Sequence, residues 1–200
     1  DGFRVQKGWG LGVSTSPIGP RHLRGSVGGP GFCGPDHIPR NPIGYENQAE
    51  AVFWNLQAKQ MEDITGICNY LGMTYVGIRA LEPSEYTELT RTALGIDISE
   101  EEFMRLGQAA YNLEKAFTTI HAGFGRADDY PPARYMNEPV DRGPYAGQQC
   151  DTDRWGEMLD RFYELNGWDV KTGLQTRAGL HDLGLDDVAD QLGAAGKLAG

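Results

Sequence analysis

Ser99-Glu100-Glu101-Glu102 opens the longest regular pattern in the chain, and that pattern limits the fold more than any other feature. Ser99 and Glu102 make a capping box, in which each side chain satisfies the other's backbone N–H. Behind it, Phe103, Leu106, Ala110, Leu113, Phe117, Ile120 and Phe124 fall in alternating three- and four-residue steps. That period predicts a helix of about 25 residues with one continuous apolar seam. Such a seam belongs inside a helical bundle.

The remaining helical signals agree with this class. Ala49, Val52, Phe53 and Leu56 mark a helix that begins after Glu46, and Gly66 stops it. Pro83 starts a short helix with Tyr86 and Leu89, which ends near Gly95. Asp151 or Thr152 caps a helix whose apolar face is Trp155, Met158, Leu159, Phe162 and Tyr163, with Gly167 at its end. A final stretch from Thr176 carries Leu180, Leu183, Leu185, Val188 and Leu192. Residues 69–82 show no clear period, and no strand pattern or internal repeat is convincing. The expected fold class is all-α, with long ordered loops rich in Gly and Pro.

Residues 1–45 hold eleven glycines and six prolines, and helical periodicity is absent there. Phe3, Trp9, Leu11, Val13, Ile18, Leu23 and Phe32 make the segment too apolar for a solvated linker. It reads as irregular chain packed against something else. The expected division is 1–80, a Gly-rich loop and helix segment, and 81–200, a helical C-terminal domain.

Composition excludes several roles. A net charge of −10 argues against a nucleic-acid backbone as partner. No apolar run approaches the ~18 residues of a membrane span, and no signal-peptide pattern is present. Cys33, Cys68 and Cys150 are odd in number and widely spaced, which is no disulfide framework. A reducing cytoplasm is the expected location.

Six residues carry the chemical interest. Asp63-Ile64-Thr65-Gly66-Ile67-Cys68 offers a carboxylate, a glycine and a soft thiol at the end of a helix. That set suits a turn that holds a polar heterocycle and a metal together. Each member also has a plainer reading. A lone cysteine is most often a buried structural residue, and Gly66 serves equally as a helix stop. Asp63 opposes the helix dipole at a C-terminus, so it wants another reason to be there.

The run resembles the D-x-x-G-(L/I)-C motif of the aldehyde ferredoxin oxidoreductase family, and other segments follow in order. Gly8-Trp9-Gly10-Leu11-Gly12-Val13-Ser14-Thr15-Ser16 is similar to the family's Gly-rich run, and His22-Leu23-Arg24-Gly25 to its H-L-R-G segment. Gly125-Arg126-Ala127-Asp128-Asp129 with Pro131-Pro132-Ala133-Arg134 resembles its R-x-D-D-x-x-P-x-R stretch. Gly167-Trp168-Asp169 with Thr172-Gly173 resembles its G-W-D-x-x-T-G signature, and Leu180 to Leu185 its L-x-x-L-G-L ending. Glu114-Lys115-Ala116-Phe117 and Gly143-Pro144-Tyr145-Ala146-Gly147 lean toward the branch containing the tungsten subunit of class II benzoyl-CoA reductase.

The resemblance implies the C-terminal part of a larger tungsten (or molybdenum) bis-molybdopterin oxidoreductase with a [4Fe–4S] cluster. It implies oxidation of aldehydes to carboxylic acids with ferredoxin as acceptor, in anaerobic metabolism. Cys68 becomes a thiolate ligand of the cluster, and Asp63 accepts paired N–H bonds from the pterin. Gly66 lets the backbone approach the ligand closely, and Ile67 presents a backbone group to it. Arg24 pairs with a pterin phosphate or ring. His22 sits beside the metal and moves protons, a role an imidazole suits near neutrality. His37 and His121 have weaker claims, and Cys33 and Cys150 match no ligand motif.

One departure bears on all of this. The family's other three cluster ligands lie in an upstream C-x-x-C-x-x-x-C motif, and this sequence has none; its first pterin-binding D-x-x-G-x-D motif is absent too. A [4Fe–4S] cluster takes four thiolates, so the piece alone is expected to be inactive. The implied partners are the N-terminal remainder of the enzyme, ferredoxin or other electron-transfer subunits, the substrate, and a second copy of the chain. Two other readings stand beside the first: the tungsten subunit of an aromatic acyl-CoA reductase, and a helical fragment with no cofactor.

Overall fold

Glycine ends the longer helices where the sequence places it. Gly66, Gly95, Gly123 and Gly167 all take left-handed φ values, between 71° and 74°, a region open to a residue without a Cβ. A computed structural model of the protein describes residues 3–25, 27, 38, 41, 43–69, 71–72 and 81–200. Cys33, His37 and residues 73–80 of the ambiguous stretch lie outside the described residues.

The described residues form α1 (Lys7–Ser14), α2 (Gln48–Thr65), α3 (Pro83–Leu94), α4 (Glu100–Ala122), a 3-10 turn (Arg126–Asp129), α5 (Ala133–Asn137), α6 (Thr152–Asn166), α7 (Arg177–Asp182) and α8 (Asp186–Ala194). Among them β structure is limited to two isolated bridges, Trp168 with Gln175 and Thr176 with Ala199. The fold is all-α. No described helix is long and apolar enough to cross a membrane.

Several expected ends are observed in detail. The Ser99 hydroxyl accepts from the Glu102 N–H at 3.2 Å, and the Glu102 carboxylate accepts from the Ser99 N–H at 3.0 Å. Asp151 caps α6 by accepting from the Arg154 N–H at 2.9 Å, and Thr176 caps α7 by accepting from the Gly179 N–H at 3.0 Å.

Two expectations fail. The Gly-rich run of residues 8–12 is not irregular; it lies within helix α1, with Leu11 fully buried. Its glycines are contact points, not hinges. A Cβ on Gly12 would stand 2.1 Å from the Gly25 carbonyl oxygen, and one on Gly8 would stand 2.2 Å from the Gln48 side chain. Each helical glycine costs about 1 kcal/mol relative to alanine; here it lets α1 press against α2 and the 24–25 loop. An apolar periodicity cannot register a face made of missing side chains.

The second failure is the α4 seam. The helix forms as expected, yet Leu106, Leu113, Phe117 and the Phe124 that follows it are exposed. The buried face is Phe103, Gly107, Tyr111, Asn112, Lys115, Ala116 and Thr119. A polar network explains this. The Asn112 Oδ1 accepts from Trp168 Nε1 at 2.8 Å and from Gln175 Nε2 at 2.7 Å. The Lys115 ammonium lies 5.1 Å from the centre of the Trp168 ring. The 168–175 loop thus docks on the polar side of α4, and Asp169 pins its tip by accepting from the Thr172 N–H and hydroxyl at 2.8 and 2.6 Å.

The largest core joins α1, α2 and α6 through Leu11, Val52, Leu56, Trp155, Leu159 and Phe162, with Tyr111 of α4 and Trp168 of the loop. It draws on residues from both sides of position 80. A second core holds Ala58, Met61, Tyr86 and Phe103; a third holds Ala116, Leu180, Val188, Ala189 and Leu192. Against the first core lies buried Asp129, which accepts from the Tyr163 hydroxyl at 2.6 Å. Burial pushes its carboxyl above the usual range, against the opposing pull of Lys115 and the Tyr163 hydroxyl.

Candidate functional site

The last two turns of α2 gather the charged residues. Lys59, Glu62 and Asp63 stand three and four residues apart, so they share one side of the helix. The Lys59 ammonium lies 2.5 Å from Asp63 Oδ1 and 3.6 Å from Glu62 Oε2. The side chains of Lys59 and Glu62 are almost wholly buried.

The helix then closes in a Schellman turn. The Gly66 N–H donates to the Asp63 carbonyl at 3.3 Å and the Ile67 N–H to the Glu62 carbonyl at 3.0 Å. Ile67 packs against the second core. Its N–H is therefore spent on the helix end. Cys68 emerges exposed on the far side of the turn, and its carbonyl accepts from the Leu71 N–H at 2.8 Å. Cys150, by contrast, is buried, and burial pushes its thiol up. Of these two cysteines, only Cys68 offers an accessible sulfur.

Arg24 completes the cluster from the loop after α1. The close approach of Gly25 to Gly12 carries this loop over α2, where Val52 meets Gly25. Arg24 Nη2 lies 2.9 Å from Asp63 Oδ2 and 3.2 Å from Glu114 Oε1 of α4. Gln60 Nε2 donates to the other Glu114 oxygen at 2.5 Å. Two cations and three carboxylates thus lock α2, α4 and the 24–25 loop together.

Sequence reasoning picked Arg24, Asp63, Gly66, Ile67 and Cys68, and the structure sets Arg24 on Asp63, in the last turn of the helix that Gly66 ends. His22 is exposed and stacks on Trp9 with ring centres 5.4 Å apart. Among the described residues, no hydrogen bond or ion pair joins it to Arg24, Asp63 or Cys68. Lys59 and Glu62 were missed, although their spacing to Asp63 on a helix was a usable signal. Glu114 was missed as a site residue because nothing local ties a carboxylate on α4 to Arg24.

The fit to a polar cofactor can be tested on unfilled hydrogen-bonding capacity. Among the described residues, Arg24 Nη1 is buried without a partner, and so are both amide atoms of fully buried Asn55. Val52, Asn55, Lys59 and Glu62 fall on one row of α2, so Asn55 faces the side that carries the cluster. Buried polar groups are almost always paired, so these atoms mark capacity for a polar ligand edge. For a metal the count is smaller: no group of three or more His, Cys, Asp or Glu side chains among the described residues could hold an ion. Cys68 stands as a single thiol.

Comparison with known proteins gives the chain its family. Residues 2–185 match the family model described as aldehyde ferredoxin oxidoreductase, domains 2 and 3. The tungsten-containing aldehyde ferredoxin oxidoreductase of Thermococcus kodakarensis is 31% identical over 185 residues, covering 91% of this chain and 28% of that one. The protein of the same name from Pyrococcus furiosus is 28% identical over 184 residues, again 91% of this chain and 28% of the relative. The chain therefore spans under a third of the length of these relatives. Among solved structures, the active-site complex BamBC of benzoyl coenzyme A reductase, determined with 1,5-dienoyl-CoA, shares the fold. Its TM-score is 0.65 at 24% identity, covering 82% of this chain and 23% of that one. The chain belongs to the aldehyde ferredoxin oxidoreductase family, as a C-terminal portion of it.

Proposed function

We propose that this chain is the part of a cytoplasmic tungsten (or molybdenum) oxidoreductase that grips the pterin edge and supplies one cluster ligand. The observation that carries the reading is the Arg24–Asp63 ion pair at the end of a helix whose C-terminal turn leads straight to an exposed Cys68. Asp63 keeps lone pairs beyond its two ion pairs and accepts N–H groups from a pterin aminopyrimidine. Arg24 donates through its unpaired Nη1, and Lys59 holds the Asp63 carboxylate in orientation. Cys68 gives one of the four thiolates that a [4Fe–4S] cluster needs. The other three come from polypeptide outside these 200 residues. His22 accepts or returns a proton at an imidazole nitrogen. A bound tungsten bis-pterin would supply the two-electron chemistry itself.

Oxidation of an aldehyde to a carboxylic acid, with electrons passed to ferredoxin, is preferred over reduction of an aromatic acyl-CoA. The relatives with higher identity carry the first activity in their names; the benzoyl-CoA reductase complex supports the fold.

The test is Cys68→Ser in the full-length enzyme, read by iron content and by the paramagnetic resonance of the reduced cluster. Iron should fall by more than half and the cluster signal should vanish, because one of four thiolates is lost. Unchanged iron and an unchanged signal would remove Cys68 from the cluster. Arg24→Ala should lower tungsten retention without changing the iron signal, which separates the pterin grip from the cluster.

A further inference from the structure

We propose that an apolar groove between α2, α3 and α4 is the docking site for an amphipathic helix of a partner polypeptide, with aliphatic residues on one face and Lys or Arg along its flanks. The groove borders the cofactor motif through Ile64, Thr65 and Ile67, but none of Arg24, Lys59, Asp63 and Cys68 lines it, so its occupant can be tested separately.

The groove has a volume of about 480 Å³. Its floor is the second core, Met61, Tyr86 and Phe103; its walls include Ile64, Leu89, Leu94, Ile96 and Leu106. These five wall residues are 49–69% exposed. Single exposed apolar residues are ordinary, but a contiguous set rimmed by polar groups marks an interaction site. The set does not end at the groove. Leu113 and Phe117 follow Leu106 on the same face of α4, extending the apolar surface by about 16 Å.

The rim states the charge of the partner. Between residues 81 and 106 the sequence carries Glu82, Glu85, Glu88, Asp97, Glu100, Glu101 and Glu102 against Arg91 and Arg105, a net of −5 out of −10 for the chain. Half the net charge thus lies on the segment that supplies most of the walls; Asp97, Glu102 and Arg105 line the adjoining surface that shares Ile96, Ile98 and Leu106, and Arg91 is itself held by Glu88 at 2.6 Å. A partner flanked by cations meets an attractive field that steers its approach. A second copy of the chain brings the same acidic rim, and a self-pairing contact would set like charges against each other. The walls are helices, and no sheet edge is exposed among the described residues, so the mode that fits is helix-in-groove with anchors at i, i+3 or i+4, and i+7.

The experiment uses the intact chain and two fluorescein-labelled peptides. Both are 14-residue helices with Leu at i, i+3, i+4 and i+7; one is flanked by Lys, the other by Glu. The Lys-flanked peptide should bind at least about tenfold more tightly at low salt, and the difference should shrink as salt screens the rim. Leu94→Glu and Leu106→Glu should each weaken that peptide by about tenfold or more. Asp97→Lys, between the wall residues Ile96 and Ile98, should weaken it several-fold. Circular dichroism melts check that each variant keeps the fold, as substitution at exposed positions allows. Equal affinity for the two peptides, no binding of either, or full binding by Leu94→Glu would overturn the proposal. So would a concentration-dependent dimer that Leu106→Glu dissolves, because a second copy would then be the occupant.

Discussion

Helices α4 and α6 use their faces in opposite ways. α6 buries Trp155, Met158, Leu159, Phe162 and Tyr163, the apolar face that its periodicity announces. α4 buries Asn112, Lys115 and Thr119 and leaves Leu106, Leu113 and Phe117 in the open. Both are long helices with sound N-caps, so local signals do not separate them. What separates them is the partner. α6 meets the aromatic and aliphatic side chains of the main core. α4 meets a loop whose indole and amide need acceptors. A helix face is therefore read correctly from periodicity only when the surface that covers it is apolar too.

The comparison breaks first on α6. Trp155 is fully buried, and its Nε1 donates to the Asp129 carbonyl at 3.2 Å. Trp155→Ala should cost about 3–5 kcal/mol, the range for removing a core aromatic, measured by denaturant unfolding. A loss below about 1 kcal/mol would mean that the α6 face is not the organising core. On α4 the corresponding test is polar. Asn112→Ala leaves the Trp168 indole N–H without its acceptor, while the Gln175 amide keeps the Asn112 backbone carbonyl at 3.0 Å. Buried groups orphaned in this way cost about 1–3 kcal/mol, so a loss of about 2 kcal/mol is expected. Near-neutral behaviour would show that the loop docks without Asn112.

How much of this was legible depends on how local each cause is. The ends of α2, α3 and α6 and the start of α4 could be read because Gly66, Gly95, Gly167, Ser99 and Asp151 act within a few residues of themselves, whereas α4 stops at Gly123, before the Phe124 that the seam had included. α1 could not, because Gly8, Gly10 and Gly12 contribute by what they lack, and their counterparts Gln48, Trp155 and Gly25 are scattered along the chain. In the candidate site, Asp63 and Cys68 stood out as a motif and Arg24 through a resemblance. Glu114 did not, because its role exists only once α4 lies beside the 24–25 loop. The G-W-D-x-x-T-G signature drew notice as a family marker. Its geometry gives it a structural task here: Trp168 seats on α4, and Asp169 with Thr172 and Gly173 folds the loop tip.

The smallest expected effect is the sharpest test of the comparison. If the apolar side of α4 has no intramolecular role, replacing it should leave the isolated fold almost untouched. Leu113 and Phe117 are 46% and 66% exposed. Leu113→Gln and Phe117→Gln should each change unfolding free energy by no more than about 0.5 kcal/mol, the usual range for surface positions. The two sites lie one turn apart and are neighbours on the helix, so any departure of the double variant from the sum of the singles measures the contact between them. Phe117 also lies against His121, with ring centres 4.3 Å apart and planes tilted by 46°, a contact between two exposed rings that adds little. A loss of about 2 kcal/mol in either variant would mean that the seam is packed in the isolated chain after all, and that the polar face of α4 is not its inner one. Stability unchanged by the same substitutions would place the seam outside the folding core, a surface whose role lies in what covers it.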